Sequence, residues 1–228
     1  MDPTTPDAIE PPANVLVLHS TRRETNACSA LLEKRDDRRE IWVSFDNEVP
    51  DSPGLEGPDR IGVVSIGDVL RADRNEDSPD FTAPVSVDVV ADPNDMSQIG
   101  VAVSRYCEYW GSDDAPIALC FDSLDHLLRQ QDPKQVFQFC HVLTKRLTDV
   151  GANAHFHLDP TAFDDQVVGT FASMFDEVVA DRSASATIPE ASDADIAGTL
   201  GNGEDSGSTE FETSDDEASD DDVASSIQ

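Results

Sequence analysis

Apolar residues arrive in short runs separated by polar stretches, and the runs are of two kinds. The first kind is short and nearly continuous: Asn14–Leu18, Glu40–Phe45, Arg60–Ile66, Ile117–Phe121, Ala154–Leu158 and Glu177–Ala180. Runs that are apolar on both faces predict the buried strands of a parallel sheet. Val85–Val90 alternates and is β-branched, which predicts a further strand. The second kind repeats at helical spacing. Met96, Ile99, Val103, Cys107 and Trp110 predict a helix over Asp95–Trp110. Val136, Cys140, Leu143, Leu147 and Val150 predict another, opened by Asp132 and Pro133 and stopped at Gly151. Helices are also expected over Arg22–Lys34, with Ala27, Ala30 and Leu31 on one face, and over Ala162–Phe175.

Strands alternating with helices predict an α/β domain: a mostly parallel sheet with helices on both faces. Ligands of such folds bind at the carboxyl ends of the strands. Pro50–Pro58 and residues 71–84 read as loops. Residues 1–13 read as a disordered leader. The pattern stops near Arg182, and residues 182–228, rich in Ser, Asp, Glu, Gly and Thr, read as a disordered acidic tail. A single domain over 14–181 is therefore expected.

Charge changes the picture next. Asp and Glu number 47 against 15 Lys and Arg, for a formal net charge of -32. The excess is spread along the whole chain, and Lys occurs only at Lys34, Lys134 and Lys145. That is the composition of proteins from salt-in halophiles, where molar salt shortens the Debye length to about 3 Å and screens self-repulsion. Direct nucleic-acid binding is not expected, because phosphate neutralisation needs a basic surface. No apolar stretch approaches the length of a membrane span, and no apolar signal segment opens the chain, so a cytoplasmic protein is expected. Cys28, Cys107, Cys120 and Cys140 form no CxxC pair and read as buried free thiols.

Candidate chemistry centres on Pro116–Asp125, where an apolar run ends in Asp122, followed by Ser123 and Leu124. This reads like the Walker B strand of a RecA-type ATPase, whose carboxylate holds a magnesium-bound water. The stretch Cys120–Leu128, then Val136-Phe137 and His141–Thr144, then His155–Pro160, resembles the KaiC branch of the RecA superfamily, which includes the archaellum motor partner FlaH. Most similar are KaiC-like domains common in haloarchaea, many of which also lack the lysine loop. The resemblance spans about Asn14 to Ala180.

A phosphate loop reads GxxxxGK[ST], with glycines that open the backbone to phosphate and a lysine for the β- and γ-phosphates. Here His19 and Glu24 stand at the glycine positions, Thr25 at the lysine and Asn26 at the Ser/Thr. The degenerate nucleotide-site candidates are Ser20, Thr21, Arg22, Arg23, Thr25, Asp46 and Asp122. Asp46 lies where KaiC-like ATPases carry one of two acids that prepare the attacking water, and Asn47 replaces the other. The resemblance thus implies a pseudo-ATPase: no catalytic residue, no ATP or magnesium cofactor, and a regulatory or signalling role through protein partners, itself or a KaiC-like homologue among them. The competing reading is a weak nucleotide-binding switch or ATPase of the same type. His155, His157 and Asp159 share one side of a strand and form the weak candidate for a metal face.

Overall fold

The computed structural model describes residues 5, 9–10, 12–19, 27–31, 37–45, 58–67, 79–112, 115–180 and 191–201. Seven strands form one sheet: β1 (Asn14–Leu18), β2 (Arg39–Ser44), β3 (Arg60–Ile66), β4 (Val85–Val90), β5 (Ile117–Phe121), β6 (Asn153–Leu158) and β7 (Glu177–Ala180). Their order is β4-β3-β2-β5-β6-β1-β7. Every pairing is parallel. The first strand is thus separated from the Asp122 strand by β6, and the all-parallel α/β architecture is consistent with a RecA-like sheet.

The described helices are α1 (Ala27–Leu31), α2 (Met96–Trp110), α3 (Leu124–Gln130), α4 (Pro133–Asp149), α5 (Asp165–Ala172) and α6 (Asp193–Gly201). A 3-10 turn, Pro160–Ala162, precedes α5. Helix starts follow the expected chemistry. Asp95 accepts from the Gln98 N–H ahead of α2, and Asp132 from the Lys134 N–H ahead of α4. Gly151 ends the α4 turn at φ 67°, a conformation glycine adopts without steric cost. Among the described residues, no helix is long and apolar enough to cross a membrane.

The two faces of the sheet are unequal. Leu16, Leu18, Phe121, Phe156 and Leu158 point into the large core, against α2, α3, α4 and α5. Their neighbours in sequence, Val15 and Val17, join a small cluster with Ala13, Leu31 and Val179. Helix α1 covers that second face, where the apolar contact among described residues is slight. The large core is close-packed: a Cβ on Gly62 would meet Tyr106 at 2.5 Å and Trp110 at 2.9 Å. Trp110 is fully buried, and its Nε1 donates to the Phe81 carbonyl at 3.1 Å.

Four expectations need correction. Most of the leader expected over 1–13 lies outside the described residues, but at its end Ala13 is buried and Ile9 packs on the small cluster. A helix over Leu124–Gln130 went unread: Ser123 caps it through the His126 N–H, and Leu124, Leu127 and Leu128 are buried. The helix expected over Ala162–Phe175 is shorter, Asp165–Ala172, because the 3-10 turn of Pro160–Ala162 reaches its expected start and Asp164 is its N-cap. The acidic tail contains α6. Ser192 and Asp195 form a reciprocal capping box, with the Ser192 N–H donating to Asp195 at 2.9 Å and the Asp195 N–H to the Ser192 hydroxyl at 3.3 Å. Gln166 on α5 donates to the Asp195 carbonyl at 2.8 Å and fixes the helix to the domain.

Candidate functional site

Strand β5 ends at Phe121 and delivers Asp122 at the carboxyl edge of the sheet, half-buried. The Asp122 N–H donates to the Val43 carbonyl at 3.0 Å. Its carboxylate accepts from the Phe45 N–H at 3.1 Å. Asp122 therefore ties β5 to the end of β2 through its own N–H and its carboxylate. Two of the three motif residues that follow it are also engaged by their side chains. The Ser123 hydroxyl caps α3, and Asp125 accepts from the Asp159 N–H at 2.9 Å. His126 stacks on Phe45 with ring centroids 4.6 Å apart. The other candidates of the nucleotide site, Ser20, Thr21, Arg22, Arg23, Thr25 and Asp46, lie outside the described residues.

A second constellation lies on the α1 face of the same strands. The β5–β6 register sets Cys120 beside His155, and His157 follows two residues on along the same side. Helix α1 lays Cys28 over them. One ligand atom from each of Cys28, Cys120, His155 and His157 lies within 4.8 Å of every other. Cys28 Sγ is 3.2 Å from His157 Nε2. The opposite nitrogen of that ring, Nδ1, is 2.9 Å from His19 Nε2. His155 is 2% exposed, and its Nε2 is buried with no hydrogen-bond partner. Neither cysteine is in a disulfide.

The electrostatics of the four are linked. Contact with Cys120 does most to hold the Cys28 thiol far below the usual thiol range, and His155 and His157 add to it. Cys120 is pushed well above that range by the same contact with Cys28 and by burial. Burial lowers His155 from its ordinary value. One thiolate and one thiol thus share the pair, beside His155, whose neutral form burial favours.

Of the expected metal face, His155 and His157 are brought together, but Asp159 is not part of it. Asp159 lies beyond β6 and caps the 3-10 turn, accepting from Thr161 N–H and hydroxyl at 2.9 and 2.6 Å. Its place is taken by Cys28 and Cys120. All four cysteines are free thiols, as expected, and all but the half-buried Cys28 are buried; burial pushes the Cys107 and Cys140 thiols up, Cys107 to about 11. The sequence held one signal of the cluster, the His-x-His on a strand. The cysteines were hidden because they are more than thirty residues from either histidine and meet them only through sheet register.

A cavity of about 780 Å³ lies elsewhere, between α2 and α4, and is lined by Gly100, Val101, Ser104, Phe139, Val142 and Leu143 among others. It includes neither Asp122 nor any residue of the cluster.

A family model matches residues 12–181, which is most of the chain and takes in all seven strands. The chain belongs to DUF7504, a family of unknown function. No curated protein and no solved structure matches it. The DUF7504 match ends at residue 181, ahead of α6.

Proposed function

We propose that this DUF7504 domain is a non-catalytic, KaiC-like regulatory module that works in the cytoplasm of a halophile by binding protein partners, itself or a KaiC-like homologue. The observation that carries the reading is the engagement of Asp122. An aspartate that holds a magnesium-bound water presents its carboxylate to the ligand. Here one carboxylate oxygen, Oδ2, accepts from the Phe45 main chain, and the Asp-Ser-Leu-Asp motif around it closes a strand end and caps a helix. The sequence adds that the phosphate-loop lysine position holds Thr25 and a glycine position holds Glu24, whose charge repels a triphosphate. Fold-level likeness supplies the partner-binding half of the proposal.

Calorimetric titration of the full chain with magnesium ATP in molar KCl tests it. Binding no tighter than about 1 mM, equivalent to roughly 4 kcal/mol, is expected. A micromolar isotherm, or turnover abolished by Asp122→Ala, returns the domain to the nucleotide switches.

A further inference from the structure

We infer that Cys28, Cys120, His155 and His157 form a binding site for one divalent transition-metal ion of the zinc class, which pins helix α1 to strands β5 and β6. This goes beyond the regulatory reading and stands whether or not that reading survives.

Geometry is the first ground. A tetrahedral zinc ion with sulfur at about 2.3 Å and nitrogen at about 2.0–2.1 Å sets its ligand atoms roughly 3.3–3.8 Å apart. The Cys28–His157 pair is already at 3.2 Å, and the whole set lies within 4.8 Å. Closing the longest gap takes about 1 Å of side-chain rotation, with no change of strand register. The donor set is the second ground. Two thiolates and two imidazoles in tetrahedral array select zinc or an iron–sulfur centre over calcium or magnesium. Two thiolates also balance a divalent charge in a site that water scarcely reaches. On binding, the proton still held on the Cys28–Cys120 pair is released to solvent as the two sulfur–metal bonds form, and no electron is transferred.

The third ground is the environment of the two rings. Metal-bound histidines hold their second nitrogen on a fixed partner, which sets the tautomer. His157 does so: with Nε2 toward Cys28, its Nδ1 meets His19. His155 keeps a buried Nε2 without a partner, an unfavourable arrangement unless something satisfies it. A disulfide between Cys28 and Cys120 would leave that nitrogen orphaned, whereas a metal ion accounts for all four residues. The site also answers a structural need. Helix α1 rests on a small apolar cluster, and a metal bridge to two central strands fastens it there.

Cobalt titration of the metal-stripped full chain in molar KCl is the test. The many carboxylates of this chain bind cations loosely, so the readout is thiolate ligation rather than total metal. Expected are near-ultraviolet sulfur-to-cobalt bands and intense visible bands of tetrahedral cobalt, saturating at about one equivalent and bleached by zinc. Cys120→Ser and His155→Gln should each remove most of this signal, and Asp159→Asn should retain it. Cys28→Ser, on the partly exposed α1, serves where a strand variant fails to fold. A weak octahedral spectrum alone, or bands indifferent to Cys120→Ser and Cys28→Ser alike, overturns the site. So does a Cys28–Cys120 disulfide in protein purified without oxidant.

Discussion

Asp122 and the four ligand residues differ in how far they could be read one at a time. Asp122 was legible because an apolar run ending in Asp-Ser-Leu is a local pattern. What it does was not, because its partner is the Phe45 N–H on another strand. Removing that acceptor leaves a part-buried donor unsatisfied. Asp122→Ala should therefore lower stability by about 1–3 kcal/mol in denaturant unfolding. Asp122→Asn keeps an acceptor oxygen and should cost less than half as much. Equal losses from both would mean that charge, and not this bond, is what the site uses. His19 makes the same point from the other side. In sequence it marks a missing glycine, while in the fold its ring is the partner of His157.

Elements were more legible than sites, because a strand or helix announces itself by period. β1, β3, β4, β5 and β7 follow the apolar runs with the expected bounds, and α2 and α4 follow the helical stripes. The sheet order did not follow from those runs, since register and crossovers depend on packing between distant segments. Failures came where the period is short or faint. Helix α3 has only seven residues, and α6 offers little more than Ile196 and Leu200 at a spacing of four. Two outcomes belong to this scale. Gly62→Ala drives a methyl into the Tyr106 and Trp110 rings and should cost about 1–3 kcal/mol, read as a lower thermal midpoint. Ending the chain after Arg182 removes α6 from its seat on α5 and should cost about 1–3 kcal/mol, with the family domain still folded. An unchanged midpoint would mean that the bonds from Gln166 to the Asp195 carbonyl and from the Thr170 hydroxyl to the Thr199 hydroxyl contribute nothing.

For the whole molecule, charge and the two-faced sheet decide behaviour. A net charge of -32 repels itself once salt is diluted, as the Debye length grows from about 3 Å at 1 M to about 10 Å at 0.1 M. Dialysis to about 0.1 M salt should therefore abolish the cooperative melt, followed by circular dichroism; an unaltered melt would refute the halophilic reading. The large core holds one face of the sheet by packing alone. On the other face, His19, Cys28 and the His-x-His strand come together under α1. One measurement weighs these possibilities directly: the thermal midpoint of the metal-stripped chain in molar KCl, alone, with one equivalent of zinc, and with millimolar magnesium ATP. A ligand at 100 times its dissociation constant stabilises the folded state by about 2.7 kcal/mol. The account predicts a rise of several degrees with zinc and none with ATP. A midpoint raised by ATP and indifferent to zinc would contradict it.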